Sequence, residues 1–272
     1  MKFGVSTFVT DEGIEPAVLG PALEERGLTS LFVAEHTHIP VSRETPYPAG
    51  GDLPRDYYRT LDPIVALTAA GVVTSRLELG TGIALVNQRD PIILAKEMAS
   101  LDLVTRGRAV LGVGAGWNRE EMLDHGTDPK TRMARMREYV LAIKEIWEND
   151  QAEFHGEFVD FAPMFSWPKP VRRPPVLVGG WGPKTFDRVV EYGDGWMPVA
   201  SRDRDGSLAK AVADLRERAG RHVPVTVYAA RAKADAVEQL TLAGVDEILF
   251  YLPTEPAPQT LERLDHMAEL IT

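Results

Sequence analysis

The sequence contains no cysteine, which excludes disulfide bonds, thiolate metal sites and a cysteine nucleophile. It also lacks any run approaching the roughly 18 apolar residues that a membrane-spanning helix needs. The opening residues, MKFGVSTFVT, are typical of a buried strand and lack the long apolar region and cleavage site of a signal peptide. We therefore expect a cytoplasmic protein that has no membrane partner.

Positive charge is scarce relative to negative charge. The chain has 30 Lys and Arg against 40 Asp and Glu, a formal net charge of −10, which argues against nucleic acid as a partner. No G-x-S-x-G segment supports a serine nucleophile. No H-E-x-x-H segment or carboxylate cluster completes a metal site, so we predict no metal and a small-molecule substrate.

Short β-branched runs alternate with amphipathic segments along the whole chain. The predicted strands span residues 3–8, 31–35, 77–84, 108–113, 176–180, 195–199, 224–229 and 246–251. The predicted helices span residues 15–26, 62–74, 91–104, 131–149, 183–193, 205–220, 233–243 and 258–271. Strict alternation predicts an α/β fold, a (β/α)8 TIM barrel, as a single domain over residues 1–272. The alternative, an open doubly wound sheet, usually stops at about five or six strands.

Two segments are too long for plain connections. Residues 36–61, after predicted strand two, are rich in proline, glycine and tyrosine. Residues 150–175, before predicted strand five, contain two alternating runs around Gly156 that predict a hairpin. Catalytic residues of barrels lie at the C-terminal strand ends, so the first insertion is the better candidate for a lid.

Two glycine-rich motifs follow predicted strands four and five. In residues 112–121 (GVGAGWNREE), alternating glycines let the backbone approach a flat ligand, or else accommodate barrel packing or a tight turn. In residues 176–189 (VLVGGWGPKTFDRV), glycines precede a helix start that can cradle a phosphate beside Lys184. Barrel phosphate sites more often follow strands seven and eight, and the alternative is an ordinary glycine-rich loop.

The segment AEHTH, residues 34–38, ends predicted strand two. His36 there could donate or accept a proton near neutral pH. The alternative is that His36 is a hydrogen-bonded rim residue and that Glu35 holds a helix N-terminus. Strand-end residues in barrels are often catalytic, which keeps the first interpretation open.

Residues 79–102 contain Gly80 and Gly82 on either side of Thr81, inside a predicted strand. Isolated glycine in a strand indicates a bulge or a close backbone approach. Arg89, just before the next helix, could bind an anion at the barrel mouth. The alternative is an ion pair with Asp90 or another nearby carboxylate.

Taken in order, five segments resemble the luciferase-like monooxygenase superfamily, and within it the branch of coenzyme F420-dependent oxidoreductases. They are VAEHTHIPVSRETPYP, LGTGIALVNQRDPIILAKEMASLD, GVGAGWNREEM, EFHGEFVDF and PPVLVGGWGPKTFDRVVEYGDGWMP. The resemblance covers residues 1–200 and implies a homodimer that transfers a hydride between F420, a deazaflavin, and a small organic substrate. The alternatives are an FMN-dependent monooxygenase that uses reduced flavin and O2, and a non-catalytic flavin-binding barrel.

The resemblance also implies the site. His36 matches the active-site histidine, and a bulge with a cis peptide at Gly82–Ile83 would support one face of the cofactor ring. The cofactor-binding residues that it implies are Glu35, Thr81, Gly82, Ile83, Gly114, Ala115, Gly116, Trp117, Gly179, Gly180, Trp181, Gly182 and Lys184. The phosphate is expected at the three glycines from 179 to 182.

The chain departs from some deazaflavin dehydrogenases of the family at Ala115, where they carry a glutamate acid. Proton transfer therefore falls to His36 or to solvent. The acidic tail of F420 favours basic rim residues, for which we expect Arg55, Arg59 and Arg89, although solvated surface charge is the alternative. The lid tyrosines indicate an apolar or conjugated ligand, or simple packing. They are Tyr47, Tyr57 and Tyr58.

Overall fold

The computed structural model describes residues 1–203 and 206–271, and eight parallel strands in these ranges form the wall of a barrel. The strands are β1 (Lys2–Thr7), β2 (Ser30–Val33), β3 (Glu78–Thr81), β4 (Ala84–Leu85), β5 (Ala109–Gly114), β6 (Gln151–His155), β7 (Asp160–Phe165), β8 (Val176–Gly179), β9 (Gly195–Met197), β10 (Thr226–Ala230) and β11 (Glu247–Leu252). Their order in the sheet is β10-β11-β1-β2-β3-β5-β8-β9. Parallel bridges from Trp196 to Val225 and from Val199 to Tyr228 bring β9 beside β10 and nearly close the ring, so the predicted barrel is confirmed.

Helices cover the outside of the ring. They are α1 (Pro16–Glu25), α2 (Pro63–Gly71), α3 (Pro91–Val104), α4 (Arg119–Asp124), α5 (Arg132–Glu148), α6 (Pro183–Tyr192), α7 (Leu208–Ala219), α8 (Ala234–Leu242) and α9 (Ala257–Glu269). All but α4 match predicted helices, and the predicted helix 205–220 begins at residue 205, outside the described residues. In the part of the chain that the structure describes, no helix is both long and apolar enough to cross a membrane.

Aspartates start the helices that follow β2 and β4. The Asp62 carboxylate accepts from the N–H groups of Ile64 and Val65, and Pro63 occupies the first position of α2. Asp90 does the same for α3, whose first residue is Pro91. Such caps satisfy N–H groups that lack intrahelical partners. Asp90 is thus a helix cap. Of the alternative interpretation of Arg89, the pair with Asp90 does not form, and the pair with other nearby carboxylates is confirmed.

The third barrel strand is interrupted, as predicted from its glycines. β3 ends at Thr81, a cis peptide joins Gly82 to Ile83, and β4 then pairs with β5. The hairpin predicted around Gly156 is also confirmed, since β6 and β7 pair antiparallel. It precedes β8 and packs along α5, where the Glu138 carboxylate accepts from the N–H groups of Glu157 and Phe158. The lid candidate follows β2 and contains one 3-10 turn, Arg55–Tyr58.

Apolar side chains from five of the strands fill the barrel interior. Phe32, Val110, Leu177, Met197 and Leu249 form a buried cluster, with Ile83 and Tyr228 packed against it and only partly buried. A Cβ at Gly80 would lie 2.2 Å from the Phe32 ring, so glycine is required for this close approach. Ile83 and Tyr228 therefore form the floor of the mouth at the C-terminal ends of the strands.

Candidate active site

A histidine and a glutamate form a buried pair at the barrel mouth. Nδ1 of His36, just after β2, lies 3.0 Å from both Oε1 and Oε2 of Glu121. The two side chains are 6% and 1% exposed. A carboxylate only accepts hydrogen bonds, so Nδ1 donates its proton to Glu121 and Nε2 is the nitrogen that remains for exchange. Thr60 Oγ1 donates to the His36 carbonyl at 2.7 Å and fixes the backbone of this residue.

Glu121 was missed in the sequence, although it lies inside the GVGAGWNREE motif. It is the third residue of α4, which is only 6 residues long, too short to show helical periodicity. Glu121 and Met122 are both buried. The signal in the sequence that could have identified Glu121 is that an acidic residue follows closely after the C-terminal end of a barrel strand. The mouth therefore has a carboxylate even though residue 115 is alanine, because Glu121 lies on the same connection after β5.

Aromatic side chains surround the exposed edge of His36. The Tyr57 ring centroid lies 4.9 Å from that of His36, and Trp117 lies 6.0 Å away. Tyr47 packs edge-on against both Tyr57 and Trp117. Burial and the adjacent Tyr47 hydroxyl raise the pKa of Tyr57, so it stays neutral at physiological pH. The lid thus contributes Tyr47 and Tyr57 to the mouth, whereas Tyr58 is 53% exposed.

The mouth floor consists of Gly82, Ile83 and Tyr228. A Cβ at Gly82 would lie 2.5 Å from the Tyr228 ring, so this ring reaches from β10 to the interrupted strand. Burial raises the pKa of Tyr228. Sequence periodicity placed Tyr228 in a strand but gave no sign of its role, because the contact with Gly82 joins strands on opposite sides of the ring.

Several predicted cofactor residues serve packing between the central strands. Thr81 is buried and donates through Oγ1 to the Gly112 carbonyl at 2.7 Å. A Cβ at Gly114 would lie 1.8 Å from Ile83 Cδ1, so the missing side chain accommodates the mouth floor. Ala115 is buried and its carbonyl accepts from Asn87 at 3.1 Å. The contacts of Gly114 and Ala115 match the interpretation that the glycine motif accommodates barrel packing. Gly116 has φ 80° and matches the interpretation as a tight turn.

The loop after β8 has an exposed tip. Gly180 and Gly182 have φ of 118° and 91°, which L side chains rarely adopt, and nothing lies within 4 Å of a Cβ built at Gly182. Buried Trp196 donates through Nε1 to the Gly180 carbonyl at 2.9 Å. Because the two polar groups of a trans peptide point in opposite directions, the Trp181 N–H faces away from Trp196. Lys184 is exposed in the first turn of α6.

Two of the arginines expected to meet an acidic tail, Arg55 and Arg59, are paired within the protein, as surface charges often are, and their contact with a tail stays a prediction. Arg55 forms a two-point contact with Glu12, and Arg59 pairs with Asp11. Each guanidinium is thereby committed to a neighbouring carboxylate. Their positive charge is largely neutralised before any ligand arrives.

Arg89 is committed to carboxylates more completely. Its Nε donates to Glu35 at 2.6 Å, and its other nitrogens reach Asp62 at 2.5 Å and Glu97 at 3.0 Å. The second Glu35 oxygen accepts from the Leu85 N–H at 2.7 Å, which positions β4. Burial raises the pKa of Glu35 against the opposing effect of Arg89. Glu35 and Arg89 therefore hold β2, β4 and the start of α3 together beside the mouth. Because Arg89 already pairs with three carboxylates, it is unavailable as an anion site.

Two buried amides lack partners near the mouth. Neither amide atom of Gln88, nor of Asn118, has a hydrogen bond among the described residues. Gln88 Nε2 lies 4.0 Å from a Cβ built at Gly116, which places it behind the motif loop. Buried amides are usually satisfied, so these four atoms are available to a polar ligand or to ordered water.

A cavity of about 670 Å³ lies between the lid and the loop after β5. Its lining comprises Glu44, Thr45, Pro46, Pro48, Gly116, Trp117, Arg119, Glu120, Met122, Leu123, Pro129 and Arg132. Glu120 accepts from the Thr45 N–H at 2.9 Å and thereby joins the lid to α4. The cavity has the size of a small-molecule site, and Trp117 separates it from His36.

The fold and the mouth define a TIM-barrel protein with a buried acid–base pair at the C-terminal ends of its strands. A sequence profile described as luciferase-like monooxygenase matches residues 16–270. The chain belongs to this family.

The chain is similar to proteins of known and of unknown function. An uncharacterized protein of Mycobacterium tuberculosis is 41% identical over 276 residues, which cover 98% of both chains. An F420-dependent glucose-6-phosphate dehydrogenase of Kineococcus radiotolerans is 29% identical over 71% of this chain and 55% of its own. The crystal structure of monooxygenase RslO1 from Streptomyces bottropensis has a TM-score of 0.80 at 20% identity, covering 100% of this chain and 98% of its own. The last similarity shows the fold alone.

Proposed function

We propose that this protein is an oxidoreductase that binds coenzyme F420 across the barrel mouth and transfers a hydride between it and a small organic substrate. The observation that carries the proposal is the buried His36–Glu121 pair at the same end of the barrel as the floor formed by Gly82, Ile83 and Tyr228. The F420-dependent relative of Kineococcus radiotolerans supports a deazaflavin over FMN. The homodimer implied by the resemblance and the cytoplasmic location expected from the sequence both stay predictions.

The residues at the mouth fit such a cofactor. The exposed tip at Gly180 and Gly182, followed by the start of α6 and Lys184, suits a phosphate. Ile83 offers an apolar face to a flat ring. The unpartnered amides of Gln88 and Asn118 could bond its polar edge. When bound, the deazaflavin supplies the hydride at C5 of its ring, and it cannot activate oxygen as FMN does.

His36 supplies the proton that a hydride transfer to a carbonyl requires. In our proposal Nε2 donates to the substrate oxygen, or accepts from the hydroxyl in the reverse direction. Glu121 holds the ring through Nδ1 and stabilises the imidazolium, as carboxylates do for other catalytic histidines. Tyr57 and Trp117 keep water from the same edge, which strengthens these interactions.

Titration of the purified protein with F420 and with FMN tests the cofactor directly. Trp117 and Trp181 both lie at the mouth, so we expect F420 to quench tryptophan fluorescence saturably and more tightly than FMN. The absence of saturable quenching by either compound would exclude a flavin-type cofactor. Tight FMN binding with oxygen-dependent product formation would favour the monooxygenase instead.

Trp196→Phe tests the loop after β8. The change removes the hydrogen bond to the Gly180 carbonyl and leaves the loop less ordered. We expect F420 affinity to fall roughly three- to tenfold, since ordering such a group costs about 1 kcal/mol on binding. The same fluorescence titration measures the affinity through Trp117 and Trp181.

Trp147→Phe is the matched control. Trp147 is also buried and donates through Nε1 to a backbone carbonyl, that of Ala95, at 2.9 Å. Both variants should lose about 1–3 kcal/mol of stability. Only Trp196→Phe should weaken F420, and equal effects on affinity would contradict a phosphate-binding role for the loop.

A further inference from the structure

A second cavity, of about 750 Å³, lies at the C-terminal ends of β10 and β11, against α9. It is lined by Ala229, Arg231, Ala232, Lys233, Tyr251, Pro253, Glu255, Gln259, Glu262, Arg263, His266 and Met267. Nothing in the proposed chemistry of His36 uses this space. Its position after barrel strands seven and eight is where TIM barrels most often bind phosphate.

Two cations on one wall lack carboxylate partners. Arg231 and Lys233 are both exposed, on the connection between β10 and α8. Neither side chain forms an ion pair or hydrogen bond among residues 1–203 and 206–271, whereas Arg55, Arg59 and Arg89 all do. In a chain of net charge −10, these two cations on one short connection concentrate positive charge at this cavity.

The opposite wall adds little negative charge. Arg263 binds both oxygens of Glu255, at 2.5 and 2.7 Å, so that carboxylate is neutralised. Glu262 is the lining acid for which the structure shows no ion pair within the described residues. Three cations therefore face two carboxylates, and the lining is net positive with His266 neutral.

An unusual backbone conformation precedes the two cations Arg231 and Lys233. Ala229 has φ 58°, the left-handed region that non-glycine residues rarely occupy. Its N–H donates to Ser6 Oγ of β1 at 3.2 Å, which holds this conformation. The register of β10 against β11 also shifts between Val227 and Ala230. A strained residue at a strand end is a reason to look for a bound ligand beside it.

The cavity adjoins the mouth. Tyr228, whose ring covers Gly82, directly precedes Ala229 of the cavity lining. In the strand order β10 and β11 lie two and three places from β8, so the cavity is separate from the loop that ends in Gly182. A ligand on the mouth floor could therefore extend an acidic group to Arg231 and Lys233 while the loop after β8 holds a different phosphate.

We propose that this cavity is an anion subsite that binds a phosphate or carboxylate group of a ligand lying in the mouth, through Arg231 and Lys233. The proposal rests on the proposed function only for the identity of that ligand. The acidic group belongs either to the substrate or to the tail of F420. Guanidinium and ammonium groups suit both kinds of anion.

Calorimetric titration of the full-length protein with inorganic phosphate tests the subsite without any turnover. We expect saturable binding that weakens at least about tenfold in the double variant R231Q/K233Q, since two charge-assisted contacts are lost. Glu262→Gln should tighten it by roughly twofold to threefold, because a repulsive charge leaves the same lining. Arg76→Gln removes one positive charge before β3, at the other end of the barrel, and should leave phosphate binding unchanged.

The same titration identifies the source of the anion. If the F420 tail occupies the subsite, saturating F420 abolishes the phosphate binding that R231Q/K233Q weakens, and the tail-free deazaflavin chromophore does not. If the substrate supplies the anion, phosphate still binds with either compound present.

Three results would overturn the subsite: no saturable phosphate binding by the wild-type protein, equal affinity in R231Q/K233Q, or an equal loss in Arg76→Gln. Thermal unfolding of each variant checks that the fold is intact. Failure of F420 to quench fluorescence, with phosphate binding intact, would reject the proposed cofactor and leave the subsite standing.

Discussion

His36→Ala is expected to lower kcat by about 10²- to 10⁴-fold, the usual contribution of a positioned acid–base group. The change removes the nitrogen that exchanges a proton with the substrate. It leaves the mouth floor at Ile83 and the loop at Gly182 untouched. F420 affinity, measured by fluorescence titration, should therefore stay within about threefold of the wild-type value. Steady-state kinetics with an F420-reducing or F420-oxidising substrate provide the rate.

His38→Ala is the matched control, because His38 is two residues away, 37% exposed and paired with Asp124. It should change kcat little. Glu121→Gln keeps an acceptor for His36 but removes the charge, so we expect an intermediate loss of roughly 10- to 100-fold. An unchanged kcat in His36→Ala would reject the proton-transfer role.

The barrel could be predicted from the sequence because its signals are local. Strands and helices follow from alternation and helical spacing within short windows. The interruption of the third strand at Gly82 follows from glycine inside a strand, and the hairpin around Gly156 from two alternating runs. Each of these features depends on residues that are neighbours along the chain.

The side-chain pairs that hold the site together could not be predicted in the same way. His36 and Glu121 are 85 residues apart, and Arg89 and Glu35 are 54 apart. Such pairs depend on the register of neighbouring strands and the path of loops, which periodicity does not encode. The sequence therefore left open whether Arg89 binds an anion or pairs with a nearby carboxylate, and it did not identify Glu35 on the neighbouring strand end as the partner.

The largest effect on stability is expected from Arg89→Leu. The substitution leaves the Glu35 carboxylate, whose side chain is 1% exposed, without its cation. Removing one partner of a buried pair typically costs about 3–5 kcal/mol, and urea unfolding at pH 7 measures the loss. Asp62 and Glu97 also lose Arg89, but they are 44% and 33% exposed and remain hydrated, so Glu35 dominates the cost.

The cost should depend on pH with a definite sign. Burial raises the pKa of Glu35, and Arg89→Leu removes the arginine that opposes it and leaves only the Leu85 N–H bond to do so. The folded state therefore keeps the proton to higher pH than the unfolded chain. Below pH 4.5, the ordinary glutamate value, both states are protonated and the variant should approach wild-type stability. The penalty then grows as pH rises through that value and levels off above the folded pKa. In E35Q/R89L the amide keeps an acceptor for the Leu85 N–H without a buried charge, so at pH 7 most of the loss should be recovered. A double variant as unstable as Arg89→Leu would show that the cost comes from packing around Arg89 and not from the stranded carboxylate.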